Sequence, residues 1–356
     1  MHQILSARQL NAFRPFQDLE SKHLLYEYLH KPDKWYLANS RYSNSVIMSI
    51  VFGIRSDMDN PRLAALNTSM EKFIKNIQPG VNIVDVFPAL AKLPTFLQWW
   101  WRRGNQIYEE TRSVCALELQ MLKERKAAGK QRPCFATDLL EKSKELEAWG
   151  ETQTLYVFGT LMEAGTDTTR VSIAQAVAAM AAYPDWVDRA RKELDEICGH
   201  SAERLPGFED RQNMPYMNAV TKEIFRWRPI ITEIGVPTTL TKDDEYEGYR
   251  FPAGTDFMWN AWHICLNPEE YEQPERFWPE RFLNEDLEKP LKGHWSFGTG
   301  RRVCVGWQVE DDPIDTMNIS QMDWDKAPFK VKIVPRSDKH ADLVERLGSE
   351  AANTMY

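Results

Sequence analysis

The chain has 356 residues, of which 43% are hydrophobic and 12% aromatic, so it can bury a substantial core and is not expected to be disordered. A net charge of −8 without a long basic run argues against a nucleic-acid-binding surface. The five cysteines form no C-x-x-C pair, so we expect neither a disulfide framework nor a zinc site, and a reducing compartment is the simplest interpretation. No signal peptide and no run of about 18 apolar residues is found, so we expect no membrane anchor in this chain.

The first two-thirds of the chain is predicted to be helical. Apolar residues recur at helical spacing, with proline or glycine at several boundaries, in the stretches 18–30, 40–54, 108–129, 152–183 and 184–199. A shorter helix is predicted over 214–229. In residues 238–264, tyrosine, phenylalanine, threonine and tryptophan then alternate with other residues around turns at Glu247-Gly248 and Ala253-Gly254. This pattern predicts a hairpin region. No repeat or linker divides these parts, so we expect one α-rich domain over 1–356 with a small β region.

Three consecutive tryptophans, Trp99, Trp100 and Trp101, are followed by two arginines. This composition suits the boundary between lipid and water and indicates a peripheral membrane contact. The alternative is the end of an amphipathic helix that packs on its own protein.

A cysteine lies among glycines and arginines in FGTGRRVCVG, residues 297–306. Nearby positive charge and backbone N–H groups favour a thiolate, and glycines let the backbone approach a flat ligand. A buried structural cysteine beside a glycine turn is the alternative. The pattern F-x-x-G-x-R-x-C-x-G is matched in full by Phe297, Gly300, Arg302, Cys304 and Gly306.

This pattern resembles the heme-thiolate loop of the cytochrome P-450 monooxygenases. The family's AGTDTT motif occurs at 164–169, its E-x-x-R motif at Glu223 and Arg226, and a P-E-R-F element contains Arg281. Within the superfamily, these stretches look most like fungal microsomal enzymes of secondary metabolism. The resemblance implies the cytochrome P-450 fold, mainly α with a small β region.

The resemblance also implies a cofactor and its contacts. The cofactor is heme b, with Cys304 as the axial ligand of its iron, Arg302 as a partner of a heme propionate, and Phe297 as a shield for the sulfur. The residues expected to bind the cofactor are Phe297, Gly298, Gly300, Arg302, Cys304 and Gly306.

The long helix over 152–182 is apolar except at its centre, where residues 165–169 are poorer helix formers than the alanines that follow. A structural kink made by threonines that bond back to the helix is one interpretation. The resemblance implies another, a groove in which Ala164 and Gly165 leave room for dioxygen while Asp167 and Thr168 relay protons.

Glu223 and Arg226 are spaced i, i+3, which for an isolated pair indicates a solvated surface contact. With Arg281 they resemble the family's buried charged triad, which holds the fold without touching substrate. The resemblance also implies a hydrophobic substrate in a cavity lined by Phe158, Met162, Ala164, Gly165, Ile234 and Val236. His263 and His294 have no partner at ligand spacing, so we expect them to be packing or surface residues.

Two departures from the family pattern are expected. After CVGWQV the chain turns acidic and is broken by Pro313, which indicates a deletion between Val309 and Asp311, with the family's C-terminal strands resuming beyond Pro313. The first residues resemble a point within the third of the family's lettered helices, so the fold is expected to be incomplete at its front.

The sequence therefore predicts a heme-thiolate monooxygenase that inserts one oxygen atom from O₂ into a hydrophobic small molecule, with electrons from NADPH-cytochrome P-450 reductase. The full-length family implies the cytosolic face of the endoplasmic reticulum membrane. Two alternatives stay open. One is an inactive relic or mis-spliced fragment, and the other is a heme-thiolate isomerase or dehydratase that does not use O₂.

Overall fold

The fold is mainly helical. A computed structural model describes residues 7–78, 80–141, 150–230, 238–289, 291–298, 304 and 327–354. The helices are α1 (Ala7–His30), α2 (Trp35–Phe52), α3 (Pro61–Ile77), α4 (Ile83–Val86), α5 (Trp99–Ala127), α6 (Phe135–Glu141), α7 (Gly150–Ala182), α8 (Asp185–Cys198), α9 (Pro215–Trp227), α10 (Ala261–Cys265) and α11 (Asp338–Asn353). The strands are β1 (Thr238–Thr239), β2 (Asp244–Tyr246), β3 (Tyr249–Phe251) and β4 (Asp256–Phe257).

The predicted fold class, mainly α with a small β region, is confirmed. Each predicted helical stretch lies on a helix of the structure, and the predicted hairpin is formed by β2 and β3 in antiparallel register, with Tyr246 opposite Tyr249. The two residues between these strands, Glu247 and Gly248, have φ values of 51° and 80°. Two consecutive left-handed residues give the turn whose twist matches that of paired strands. A second antiparallel pair joins β1 to β4.

The tail of the chain differs from its prediction. Strands were expected beyond Pro313, but residues 327–337 form neither helix nor strand and residues 338–353 form α11, so that prediction is wrong over the part of the tail that the structure describes. The physical reason is a helical spacing of apolar residues that buries Leu343, Gly348 and Ala351. A Cβ on Gly348 would lie 2.6 Å from Cβ of Tyr26, so glycine lets α11 approach α1 closely.

The contacts among the described residues form two compact units. Unit 1 contains the described residues of 7–170 and 327–354, and unit 2 contains those of 171–298 together with Cys304. The core of unit 1 is built from α2, α3, α5, α6 and α7, with Phe52, Leu122 and Phe158 fully buried. The core of unit 2 is aromatic and includes Trp186, Trp227 and Phe277. The expectation of a single domain stays a prediction.

Several predicted features lie outside the described residues. They are the deletion between Val309 and Asp311, the cavity residues Ile234 and Val236, and the loop residues Gly300, Arg302 and Gly306.

Candidate functional site

Cys304 differs from the other four cysteines in its exposure. It is exposed, whereas Cys115, Cys134, Cys198 and Cys265 are all buried. Burial raises the pKa of the Cys115 thiol to about 12 and that of Cys265 to about 11, which keeps both protonated at neutral pH. Cys304 is therefore the cysteine whose sulfur is accessible to a metal ion.

An aromatic group lies where the cysteine loop begins. The backbone N–H of Cys304 donates to the carbonyl oxygen of Phe297 at 2.7 Å, which brings Cys304 back towards this residue. The buried Phe297 ring lies 5.0 Å from the Phe225 ring and 5.5 Å from the His294 ring, measured between centroids. His294 is therefore a packing residue, as predicted. The next residue, Gly298, has a φ of 71°, a conformation that favours glycine.

The segment before the loop is tied to α9. Buried Lys222 donates from Nζ to the carbonyl oxygens of Asp286, Lys289 and Lys292 at 2.6, 2.8 and 3.0 Å. Ser296 Oγ donates to the carbonyl oxygen of Phe225 at 2.6 Å. Sequence reasoning missed Lys222, although a lysine next to Glu223 on the apolar face of an amphipathic helix was a usable signal.

The predicted triad comes together in unit 2. Arg226 donates to both carboxylate oxygens of Glu223, from Nε at 2.7 Å and from Nη2 at 2.8 Å, and both side chains are fully buried. Arg281 approaches the same carboxylate with Nε at 3.2 Å, and the backbone N–H of Trp278 donates to it at 2.7 Å. Arg226 Nη1 also donates to the carbonyl oxygens of Cys265 and Pro274, both at 2.8 Å. The triad therefore joins α9 to the 265–281 segment.

The centre of α7 carries a buried ion pair that the sequence analysis did not include. Arg170 donates to the Asp167 carboxylate from Nε at 3.0 Å and also from Nη2, and its Nη1 donates to the hydroxyl of Tyr36. Burial disfavours the charge of Arg170, but the Asp167 carboxylate and Tyr36 outweigh burial and raise the guanidinium pKa. Asp167 is thus held by a permanent cation on its own helix.

The neighbours of Asp167 bond back along α7. Thr166 and Thr168 donate from Oγ1 to the carbonyl oxygens of Met162 and Ala164, both at 2.7 Å. A Cβ on Gly165 would lie 2.8 Å from Cγ1 of Ile47 on α2. The space at Gly165 is therefore taken by Ile47, which corrects the expectation that this glycine leaves room for dioxygen.

One face of α7 is accessible, and it does not include Phe158 and Met162, which were predicted to line the substrate cavity. Phe158 and Met162 are 0% and 1% exposed and belong to the core of unit 1, where the Phe158 ring lies 5.5 Å from that of Phe52. A helical face instead exposes Tyr156, Thr160 and Ala164 and continues to the half-buried Thr168. The sequence analysis selected Phe158 and Met162 because they are apolar. The accessible face instead follows residues spaced four apart, at positions 156, 160, 164 and 168.

Comparisons with known proteins agree with these motifs. A sequence model described as Cytochrome P450 matches residues 38–309, more than half of the chain. The cytochrome P450 monooxygenase verL of Clonostachys rogersoniana is 30% identical over 99% of this chain and 71% of its own length. The monooxygenase polD of Polytolypa hystricis is 31% identical over 97% of this chain and 68% of its own length. For aneD of Aspergillus aculeatus the identity is 34%, over 86% of this chain and 58% of that protein.

Proposed function

The chain belongs to the cytochrome P450 family, and from this premise we propose that it is a heme-thiolate monooxygenase acting on a hydrophobic small molecule in secondary metabolism. The observation that carries the proposal is the exposure of Cys304 beside Phe297, while the other four cysteines are buried. In the proposed reaction, O₂, two electrons and two protons convert a C–H bond of the substrate into C–OH and release one water. NADPH-cytochrome P-450 reductase is the proposed electron donor.

The family implies a heme cofactor, and the described residues of the cysteine loop fit it. An exposed thiol, a buried aromatic ring next to it and a left-handed glycine suit a flat group with a soft metal ligand. We assign heme b to Cys304, Phe297 and Gly298, and the sequence adds Gly300, Arg302 and Gly306. When bound, the heme supplies the iron at which dioxygen is activated.

Proton delivery is assigned to the accessible face of α7. Thr168 Oγ1 holds a proton that it donates to the Ala164 carbonyl oxygen, and rotation about its side chain can redirect that proton to the accessible face. Asp167 is held by Arg170 as a carboxylate, so it must take up a proton from solvent and loosen this ion pair before it can pass that proton to Thr168. We therefore assign Thr168 the direct role in proton delivery, and Asp167 the role of passing protons to Thr168.

Thiolate ligation is tested by replacing single cysteines. In heme-loaded protein, reduction under carbon monoxide should give the red-shifted Soret band of thiolate ligation, and Cys304→Ala should abolish it. Cys198→Ala is the matched control, because Cys198 is buried, and it should keep the band. A band that survives in Cys304→Ala would show that the ligand is a different residue.

Proton delivery is tested by the ratio of product formed to NADPH consumed. Thr168→Ala should lower this ratio about 10-fold or more while heme content is unchanged, because general acid catalysis contributes about 10²–10⁴-fold in rate. Thr168→Ser, which keeps a hydroxyl, should restore most of it. An unchanged ratio in Thr168→Ala would leave the threonine with the helix-bending role alone.

An exposed apolar segment supports the predicted membrane contact. Trp99 and Trp101 are 57% and 52% exposed, whereas Trp100 is buried, and Phe87 and Phe96 before them are also exposed. We propose that this segment, residues 83–101, rests on the cytosolic face of the endoplasmic reticulum membrane. No helix within the described ranges is long and apolar enough to cross a bilayer.

The membrane proposal is tested by flotation with phospholipid vesicles. Trp99→Ser combined with Trp101→Ser should reduce the vesicle-bound fraction, because each exposed ring contributes apolar area to the interface. Tyr246→Ser combined with Tyr249→Ser is the control, since these two aromatic residues are also exposed but lie in the β2–β3 hairpin. Equal loss of binding in both double variants would contradict the assignment to 83–101.

A further inference from the structure

The side chain of Lys222 on α9 is enclosed by the backbone of residues 284–298, which lead into the cysteine loop and which we call the entry segment. Lys222 is 5% exposed, and its Nζ donates to the carbonyl oxygens of Asp286, Lys289 and Lys292 at 2.6–3.0 Å. An ammonium group has three N–H donors, so each donor has one backbone acceptor. These three carbonyl oxygens form a cage around the ammonium, which we call the carbonyl cage.

The carbonyl cage is built by successive turns of the entry segment. The backbone N–H of Lys289 donates to the carbonyl oxygen of Asp286 at 3.0 Å, and that of Lys292 donates to the carbonyl oxygen of Lys289 at 2.9 Å. Turns with this i, i+3 spacing bring every third carbonyl towards Nζ. Without the Lys222 ammonium, three carbonyl dipoles would point into one buried space with no cation between them, so we expect the turns to rearrange.

The entry segment continues directly to the residue that contacts Cys304. Ser296 Oγ donates to the carbonyl oxygen of Phe225 at 2.6 Å. The Phe297 ring packs on the Phe225 ring, and the Phe297 carbonyl oxygen accepts from the backbone N–H of Cys304 at 2.7 Å. Phe297 follows Lys292 by only five residues. A rearrangement of the carbonyl cage would therefore displace the acceptor that holds the Cys304 backbone.

We propose that Lys222 is a positioning residue for the thiolate ligand, because the carbonyl cage fixes the entry segment and the entry segment fixes the place of Cys304. The inference rests on the proposed monooxygenase function, in which Cys304 binds heme iron. Lys222 acts through the backbone of the entry segment, so its loss should change how the cysteine is presented and leave the cysteine itself in the chain.

Lys222→Met tests the proposal, because methionine keeps a long apolar side chain but supplies no N–H donor. In heme-loaded protein reduced under carbon monoxide, a smaller fraction of the bound heme should give the red-shifted Soret band of thiolate ligation. Heme should also dissociate about 10-fold faster, the lower end of what the loss of a ligand-orienting group costs in metal affinity. Lys289→Met is the matched control, since its exposed side chain pairs with Asp286 while its backbone carbonyl stays in the carbonyl cage. It should behave as the wild type does.

Hydrogen exchange of the full chain measures the position of the loop without relying on the heme spectrum. The Cys304 amide is protected by its bond to the Phe297 carbonyl oxygen. In Lys222→Met this amide should exchange about 10-fold faster, because the free energy of one hydrogen bond corresponds to a factor of that size. The Met217 amide, which donates to the Glu193 carboxylate in the first turn of α9, should exchange as in the wild type.

A second substitution separates positioning from general stability. The Glu193 carboxylate accepts from the backbone N–H groups of Tyr216 and Met217, both at 2.9 Å, so Glu193→Ala weakens α9 at the end away from Lys222. It should lower the Tm and leave the thiolate band of the bound heme unchanged. Lys222→Met should lose part of that band even where the two variants have the same Tm.

Chemical rescue tests the carbonyl cage directly. Lys222→Ala lacks one nitrogen and three carbon atoms, which are the heavy atoms of propylammonium, so this ion can fill the space and supply the N–H donors. Added propylammonium should restore the thiolate band of Lys222→Ala. Tetramethylammonium, a cation without N–H donors, should not restore it.

The two proposals fail in different ways. If the wild-type protein lacks the thiolate band, the monooxygenase function fails, and the exchange rate of the Cys304 amide still decides whether Lys222 positions the loop. If the wild type shows the band and Lys222→Met keeps both the band and the exchange rate, the function stands and the role of Lys222 is wrong. A Glu193→Ala protein that loses the band to the same extent as Lys222→Met would also overturn the role, because stability alone would then explain the loss.

Discussion

Asp167 has two roles, one proposed in proton supply and one in the stability of the fold. The carboxylate that the proposed function assigns to proton supply is also the partner that keeps a buried guanidinium charged. Removing one member of such a pair leaves the other charge buried and unpaired, which is far more costly than the loss of a surface contact. The sequence analysis placed Asp167 in a catalytic role only, so the structure adds a structural role to the same side chain.

Asp167→Asn should therefore destabilise the fold. We expect the free energy of unfolding to fall by about 3–5 kcal/mol, because the Arg170 charge loses its partner. Thr168→Ala should change it by less than about 1 kcal/mol. Adding Arg170→Leu to Asp167→Asn should recover a large part of the loss. The measurement is urea unfolding, and an Asp167→Asn protein as stable as Thr168→Ala would show that the ion pair contributes little.

His23 makes the stability of unit 1 depend on pH. Burial, together with the charge of Arg41, lowers the pKa of His23 to about 3, and its Nδ1 lies 3.0 Å from Nη2 of Arg55. The folded-state pKa lies below the ordinary value of 6.5, so the unfolded chain binds the extra proton between these two values. The stabilisation from neutral His23 is therefore complete above about pH 6.5 and declines as the pH falls towards 3.

Thermal unfolding of His23→Gln tests this dependence. Between about pH 7.5 and pH 5, the Tm of the wild type should fall by more than that of the variant, because only the wild type must keep a histidine neutral. Glu27 works in the opposite sense, since burial raises its pKa to about 7 and its contribution declines as the pH rises. Because Oε1 of Glu27 lies 3.8 Å from Nε2 of His23, the comparison is repeated in a Glu27→Gln background, in which this carboxyl does not titrate. His200→Gln, at an exposed position, should follow the wild type.

The sequence predicted the partners of some residues and missed those of others for identifiable reasons. Glu223, Arg226 and Arg281 are placed together by the family resemblance, because the E-x-x-R and P-E-R-F motifs together match the family's charged triad. Arg170 stands at i+3 from Asp167, the same spacing as Arg226 from Glu223, but spacing does not reveal burial.

At the scale of elements, the approach of α7 to α2 depends on one glycine. Ile47 fills the position that a side chain on Gly165 would occupy. Glycine lowers helix stability by about 1 kcal/mol relative to alanine, so its presence in a long helix has a compensating reason. Here the reason is the close contact of two helices, which no local pattern along α7 could have predicted.

A pair of alanine substitutions separates helix propensity from packing. Gly165→Ala alone should be destabilising, because overpacking costs about 1–3 kcal/mol and exceeds the gain in propensity. In an Ile47→Ala background the same change should be neutral or stabilising, since the added methyl group then fills space. Gly104→Ala in α5 is the control, because its Cβ would meet no atom within 4 Å and should add about 1 kcal/mol of stability. Equal effects in both backgrounds would show that Ile47 and Gly165 do not interact.

At the scale of the whole molecule, unit 1 joins the early and late parts of the chain. The helix α11 packs on α1, and Arg55, which follows α2, binds both. Its Nη1 donates to the carbonyl oxygens of Ala351 and Thr354 at 2.6 and 2.7 Å, and its Nε donates to the buried carboxylate of Glu20 at 2.5 Å. These contacts span almost 300 residues of sequence. The expectation of strands in the tail came from the family resemblance, whereas the apolar spacing of 338–353 is helical. What the sequence could not show is the element on which this helix packs. Local patterns do not identify a partner at that separation.

Arg55→Leu should therefore weaken the attachment of α11 to the rest of unit 1. The substitution leaves two helix-terminal carbonyls without their donor and removes one of the cations that pair with Glu20, so we expect a loss of about 3–5 kcal/mol in the free energy of unfolding. The contact between His30 and Glu345 also joins α1 to α11, with Nε2 and Oε2 2.5 Å apart, but both side chains are about half exposed. Its removal in His30→Gln should cost less than about 1 kcal/mol. Limited proteolysis should cut Arg55→Leu near residues 327–337 faster than His30→Gln or the wild type, and equal cutting of all three would show that α11 is held by its apolar face alone.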